Sequence, residues 1–331
     1  MPFVVISPEQ LLDQPGPWVD ILRAAKFEIR YPRNPLFTRG AGGEDETIGE
    51  LAGAAAVIAG GECLTRKAIE SLTDLRVIAR AGVGFDRVDV PAATRRGVPV
   101  TITPTANHQA VAEHALALIF SVAKRIVWAD MQTRLGNWPR VPTAPVRGQT
   151  LGVLGLGRIG RSTAVRAMLL GMNVIATEPF PNEAFIRANP VELVDFDTLL
   201  ARSDFLSIHS PLNDETRGLF NAGVFAKMKL GAVLINTARG GLVVEKDLIA
   251  SLASGRLGGA GLDVFEQEPP SSDNPLFRMD NVVVSPHWAG TDSQSMADMA
   301  VECADCIVKL HRGEWPEGAV VNDELRETFV W

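Results

Sequence analysis

The spacing of Gly155, Gly157 and Gly160 in Leu151-Gly-Val-Leu-Gly-Leu-Gly-Arg-Ile-Gly constrains the fold of this chain more than any other stretch. A G-x-G-x-x-G pattern alone is weak. Here it follows an apolar run, Leu151–Leu154, and opens a helical stretch reaching about Leu170. A second apolar run then ends at Glu178, close to the spacing of about 20 residues expected between glycines and acid in a dinucleotide-binding βαβ unit. Each residue has a physical task. Gly155 permits the tight turn, Gly157 lets backbone approach a pyrophosphate, and Gly160 lets helix and strand pack closely. The helix start presents N–H groups and partial positive charge to phosphates. Leu156, Arg158 and Ile159 complete that first turn, and Arg158 is placed to add a phosphate contact. Glu178 accepts from both ribose hydroxyls and repels a 2′-phosphate, and Pro179 and Phe180 supply no Arg to hold one. NAD is therefore expected over NADP.

Around this unit, short apolar strands alternate with amphipathic helical stretches, which predicts a parallel α/β architecture. One series comprises Phe3–Ile6, Ala56–Ala59, Val77–Arg80 and Val98–Ile102. A second comprises Leu151–Leu154, Asn173–Thr177, Phe205–His209, Val233–Asn236, Gly259–Asp263 and Val282–Ser285. Between them lies an Ala/Leu-rich helical segment, roughly 107–136, followed by a Pro/Arg-rich loop, Asn137–Gln149. It suits a bridge between domains or a subunit contact. A late helix, about Asp292 to His311, is positioned to carry the chain back to the first domain.

Composition removes several function classes. With 46% hydrophobic and 21% charged residues over 331 positions, the chain is an ordinary globular one. A net charge of −7 opposes wholesale binding to nucleic acid or anionic membrane. The three cysteines, Cys63, Cys303 and Cys306, are too few for a disulfide framework. The Cys303-x-x-Cys306 pair has no second pair to complete a metal site. No metal is expected. The N-terminus reads as a strand rather than a signal peptide, and no run reaches the roughly 18 apolar residues of a membrane span. A soluble, cytoplasmic protein is expected.

Three polar residues stand just after late strands, where ligands gather in open α/β sheets. They are Arg239 in Asn-Thr-Ala-Arg-Gly-Gly, Glu268 in the loop after Asp263, and His287 in Ser-Pro-His-Trp-Ala-Gly. Each alone also reads as an ordinary surface or loop residue. With the glycine fingerprint, and with Ala81-Gly-Val-Gly-Phe-Asp-Arg-Val-Asp, Val111-Ala-Glu-His and His209-Ser-Pro-Leu-Asn-Asp-Glu-Thr216, the sequence resembles the D-isomer-specific 2-hydroxyacid dehydrogenases. The resemblance implies two doubly wound parallel-sheet domains. A Rossmann nucleotide domain, residues 104–293, is inserted into a discontinuous flavodoxin-like substrate domain, residues 1–103 and 294–331. It implies that Arg239 binds the substrate's carboxylate and carbonyl oxygen. His287 exchanges a proton with the substrate oxygen, and Glu268 holds the imidazole and favours its charged form. Gly82, Val83 and Gly84 offer backbone N–H groups to the substrate carboxylate. His209, Ser210, Pro211, Thr216, Thr237 and Ala238 line the cofactor, with Asp263, His287, Ala289 and Gly290 near the nicotinamide. His108, His114 and His311 read as structural or solvent-exposed.

The resemblance weakens after the third strand. Phosphoglycerate enzymes of the family usually carry Arg-Ser there, and this chain has Gly60-Gly61-Glu62, although Arg140 in Trp138-Pro-Arg140 stands where those enzymes often have a basic residue. A carboxylate at Glu62 repels phosphate, and the chain shows no regulatory domain after the late helix. The expected substrate is a small anionic 2-hydroxy or 2-keto acid such as hydroxypyruvate or glyoxylate. Formate dehydrogenases share the scaffold but carry Gln in place of Glu268. An NAD(H)-sensing corepressor on the same fold is the alternative that the triad leaves open. Homodimerisation through the nucleotide domain and closure of the domains over the cofactor follow from the resemblance alone.

Overall fold

The computed structural model describes residues 1–331. The chain divides into two compact units, one made of Met1–Asn107 with Thr291–Trp331 and one of His108–Gly290. Sequence reasoning set the joints a few residues away, at 103/104 and 293/294.

The first unit is a five-stranded parallel sheet built from β1 (Phe3–Ile6), β2 (Glu28–Arg30), β3 (Ala56–Ala59), β4 (Val77–Arg80) and β5 (Val100–Thr101), in the order β2-β1-β3-β4-β5. Side chains alternate between its faces, as the two-residue period of a strand requires. Val4, Ile6, Ala56, Ile58, Val77 and Ala79 enter one core, while Val5, Val57, Ala59 and Ile78 enter the other. The late helix, Ser293–His311, is capped by the Asp292 carboxylate, which accepts from Ser295 N–H at 2.7 Å. Its Met296, Met299, Ala300, Cys303, Ala304 and Ile307 pack into the first of these cores. Both C-x-x-C thiols are buried in this unit, and burial pushes Cys306 up to about 11. His311 is wedged between Phe27 and Trp331.

The second unit holds seven parallel strands: β6 (Thr150–Leu154), β7 (Asn173–Thr177), β8 (Val191–Leu193), β9 (Phe205–Ile208), β10 (Val233–Asn236), β11 (Gly259–Leu262) and β12 (Val282–Val284). Their order is β12-β11-β10-β9-β6-β7-β8. The order reverses between β6 and β9, and the crevice at such a switch point is where open α/β sheets bind ligands. Again the faces alternate: Leu151, Val153, Val174, Ala176, Val233 and Ile235 on one side, Leu154, Ile175, Leu206, Ile208 and Leu234 on the other.

Three sequence expectations change. The strands β2 and β8 were not foreseen. Both are edge strands of three residues carrying exposed charge (Glu28, Arg30, Glu192), so neither shows an apolar run. β5 is shorter than Val98–Ile102. The helical segment over 107–136 is two helices, His108–Ala123 and Ile126–Arg134, broken at Arg125, whose φ of 53° is left-handed. No helix is long and apolar enough to cross a membrane.

Candidate active site

The glycine loop sits at the switch point. Gly155 has φ +92°, and a Cβ there would lie 2.8 Å from the His209 backbone. A Cβ on Gly160 would lie 2.0 Å from the Gly155 carbonyl oxygen. Packing therefore demands both glycines. Gly157 differs: it is exposed, and a Cβ there meets nothing within 4 Å. Nothing in the protein requires glycine at 157, whereas close approach of a ligand to the backbone does. Gly157 caps the twelve-residue helix Arg158–Leu169 with no side-chain acceptor, leaving its first N–H groups to face an anion. Glu178 closes the loop from β7. Its carboxylate accepts from Leu156 N–H at 2.7 Å and Phe180 N–H at 3.0 Å. A carboxylate has about four acceptor sites, so capacity for ribose hydroxyls remains. Across the crevice, the Thr237 hydroxyl is buried with no partner in the protein, as suits a group that meets a ligand. These residues fit a dinucleotide.

His209 ends β9. Burial pushes its imidazole down to about 4, and Nε2 lies 2.9 Å from Ser207 Oγ, so the ring is neutral at physiological pH. That suits a cofactor wall and not a cationic acid. Thr216 holds its own turn, its hydroxyl donating to Pro211 O at 2.7 Å and accepting from Asn213 N–H at 2.9 Å. Ser210 Oγ reaches back to Leu154 O at 3.4 Å.

Arg239 follows β10. Asn236 shapes its turn, donating from Nδ2 to Arg239 O at 2.9 Å and accepting from Ala238 N–H at 3.0 Å. Gly240 is obligatory, since a Cβ would lie 1.8 Å from Phe265 O. Glu268 is fixed from the loop after β11, with Oε1 accepting from Phe265 N–H at 3.1 Å. Its Oε2 lies 2.7 Å from His287 Nδ1. An acid/base pair separated by 19 residues of sequence is thus assembled. Nδ1 donates to the carboxylate, which leaves Nε2 as the atom that can give or take a proton. His287 is held at φ +55°, a conformation costing a non-glycine residue about 1 kcal/mol.

What holds His287 there is Asp263, buried at the end of β11. Its backbone oxygen accepts from His287 N–H at 2.8 Å. Its carboxylate accepts from Trp288 N–H at 3.1 Å, Ala289 N–H at 2.8 Å and Ser285 Oγ–H at 2.6 Å. His114 Nε2 in turn lies 2.8 Å from Ser285 Oγ. Sequence reading gave His114 no partner, because no local spacing rule links residues 114 and 285.

In the first unit, two expectations shift. Gly82 N–H is already engaged by Thr103 Oγ1 at 2.9 Å and Arg80 O at 3.0 Å, so it is not available to a substrate. Glu62 points inward, 2% exposed, accepting from Ser7 Oγ at 2.6 Å and Gly60 N–H at 2.8 Å, and burial raises its pKa.

A Rossmann unit with a glycine cradle and a paired Glu–His acid/base defines a nucleotide-dependent α/β protein. Residues 116–289 match the model of the D-isomer specific 2-hydroxyacid dehydrogenase NAD binding domain. The chain is 43% identical over 247 residues to D-3-phosphoglycerate dehydrogenase of Archaeoglobus fulgidus, covering 74% of this chain and 47% of that protein. It is 40% identical over 263 residues to glyoxylate reductase of Korarchaeum cryptofilum, covering 77% and 79%. Among solved structures, the TT0316 protein from Thermus thermophilus superposes with a TM-score of 0.86 at 32% identity, covering 96% of this chain and 99% of that one. The protein belongs to the D-isomer-specific 2-hydroxyacid dehydrogenase family. It spans about half the length of the phosphoglycerate dehydrogenases that it matches.

Proposed function

We propose that the protein is an NAD-dependent dehydrogenase interconverting a small 2-keto acid and its D-2-hydroxy acid. The observation that carries this reading is the 2.7 Å contact between Glu268 and His287 Nδ1, in the unit that holds the glycine cradle. When bound, NADH supplies the hydride to C2. His287 Nε2 gives the carbonyl oxygen its proton in reduction and recovers it in oxidation. Glu268 fixes the ring by accepting from Nδ1, which keeps Nε2 turned to the substrate oxygen. Arg239 takes the substrate's carboxylate and carbonyl oxygen through charge-assisted hydrogen bonds. In the first unit, the amides of Val83 and Gly84 are the remaining candidates for carboxylate binding. Glu178 favours NAD over NADP.

Hydroxypyruvate or glyoxylate is preferred to 3-phosphoglycerate because the Gly60-Gly61-Glu62 loop carries no cation for a phosphate. Repulsion by Glu62 is not the reason, since its carboxylate is turned inward. Homodimerisation is assigned to the helix Ile126–Arg134 and the loop beyond it, where Ile126, Val127, Met131, Leu135 and Trp138 are exposed together. Sedimentation velocity showing a monomer would remove that assignment. A cytoplasmic location suits three unpaired thiols.

The test follows NADH and NADPH oxidation over a panel of 2-keto acids, with 3-phosphoglycerate oxidation alongside, comparing the protein with His287→Ala. The expected outcome is NADH-preferring turnover of an unphosphorylated acid, falling about 100-fold or more in the variant. Tight NADH binding without turnover would replace the enzyme by a cofactor-sensing binding protein. A highest kcat/KM for 3-phosphoglycerate would overturn the substrate assignment.

A further inference from the structure

The helix His108–Ala123 lies against β11 with an unusual closeness, and the sequence explains why. A Cβ on Gly259 would lie 2.7 Å from Val122, and one on Gly261 would lie 2.8 Å from Leu118. Residues 259, 261 and 263 share one face of the strand, and residues 122, 118 and 114 share one face of the helix. Four helical residues rise about 6 Å and two strand residues about 6.6 Å, so the two series stay in step. The next rung after Gly261–Leu118 is Asp263–His114, and there His114 Nε2 lies 3.7 Å from Asp263 Oδ1 and 2.8 Å from Ser285 Oγ.

This rung is polar on an otherwise apolar helix face, beside the buried Ala115, Leu118, Ile119 and Val122. The hydroxyl of Ser285 has one proton, and it goes to Asp263 Oδ1 at 2.6 Å. The hydroxyl oxygen must then accept from His114, so Nε2 carries a hydrogen and donates. His114 thereby fixes the rotor of Ser285, and Ser285 fixes the Asp263 carboxylate. That carboxylate holds the N–H groups of Trp288 and Ala289, next to His287 with its left-handed backbone. We propose that His114 is a positioning residue for His287, acting through Ser285 and Asp263 to hold the loop 285–289 in its proton-transfer geometry. The proposal rests on the proton-transfer role given to His287 above.

The test compares His114→Leu, His114→Gln and Ser285→Ala. Glutamine restores a donor near the position of Nε2, and leucine fills the space without one. In the cofactor-free protein, hydrogen exchange at the Trp288 and Ala289 amides should speed about 10-fold in His114→Leu and Ser285→Ala and stay near the parent in His114→Gln. In turnover, kcat should fall about 10-fold or more in the first two while KM for NADH rises by a smaller factor, since the loosened loop misaligns the proton donor and borders the nicotinamide end alone, and the glycine cradle for the pyrophosphate is left as it is. The double variant His114→Leu/Ser285→Ala should be no worse than either single one, because both break one chain of contacts. Parent-like exchange and kcat in His114→Leu would overturn the proposal, as would a His114→Gln variant as impaired as His114→Leu. If His114→Leu does not fold, Ser285→Ala, which loses one hydroxyl, decides by the same two readouts. A parent protein that turns over no keto acid would refute the proposed activity, and the exchange data would still decide the positioning role.

Discussion

His209 and His287 stand at the ends of two strands of one sheet, and their surroundings give them different chemistry. His287 is half exposed and shares its Nδ1 proton with a carboxylate, while His209 has only a neutral hydroxyl within reach and is driven to about 4 by burial. The consequence for stability has a definite sign. Unfolded, His209 returns to the ordinary histidine value of about 6.5, so between there and pH 4 the unfolded chain binds more protons. The folded state is therefore favoured above pH 6.5 and loses that advantage as pH falls toward 4. At pH 5 the loss amounts to about 2 kcal/mol, an upper figure because the residue keeps some solvent contact. His209→Gln removes it. The stability difference between parent and variant, read from urea unfolding at pH 7.5 and pH 5, should move by up to about 2 kcal/mol in favour of the variant. Parallel pH dependences would refute the burial of an uncharged ring. At this scale the sequence was legible where a residue's neighbours are close in the chain. The pairing of His287 with Glu268 was an expectation of the family resemblance, and the two side chains lie 2.7 Å apart. His114 was not legible, since its partner lies 171 residues away and only the register of a helix on a strand joins them. Glu62 was expected to repel a phosphate because nothing in Gly60-Gly61-Glu62 reveals that Ser7, after the first strand, would draw its carboxylate inward.

Among the elements, the glycine loop and its helix were the most legible part, because turn, approach and packing each demand glycine at a fixed spacing. The structure separates these demands. Gly160→Ala drives a methyl into the Gly155 carbonyl, a rigid backbone obstacle, and should cost about 1–3 kcal/mol or more of stability. Gly157→Ala meets open space and should lose under about 1 kcal/mol, the difference between Gly and Ala at a helix N-cap. Its effect should fall instead on the ligand. NADH affinity, measured by fluorescence titration, should drop about 10-fold or more, the cost of about 1.4 kcal/mol or more expected when a methyl holds the pyrophosphate off the backbone. Unchanged affinity in Gly157→Ala would mean the dinucleotide does not cross the helix N-terminus. The elements that escaped the sequence were those lacking a periodic apolar signal. Edge strands β2 and β8 present charge to solvent, and the break at Arg125 interrupts a run whose composition stays helical on both sides.

On the scale of the whole chain, the discontinuous first unit was an expectation from resemblance, and what physically joins its two segments could not be read in advance. Beyond the packed helix Ser293–His311, the tail runs antiparallel beside β5. Thr101 bridges Val320, Ile102 N–H donates to Ala319 O at 2.9 Å, and Val321 N–H donates to Val100 O at 2.8 Å. Asn322, 1% exposed, closes the seam. Its Oδ1 accepts from Val100 N–H at 2.8 Å, and its Nδ2 donates to Val98 O at 3.0 Å and Thr94 Oγ1 at 3.1 Å. One side chain thus serves the backbone of a strand 222 residues earlier. Asn322→Ala leaves a buried N–H and a buried C=O without partners, at about 1–3 kcal/mol for each group left unsatisfied. The damage should be local to one unit. Hydrogen exchange of peptides covering Val77–Thr101 should accelerate, while peptides covering Leu151–Leu154 and Phe205–Ile208 stay as protected as in the parent. Equal acceleration in both sheets would show that the chain unfolds as one cooperative body, and no acceleration would show that the tail is not what anchors β5. Either result would undo the view that residues 291–331 complete the fold of the first 107.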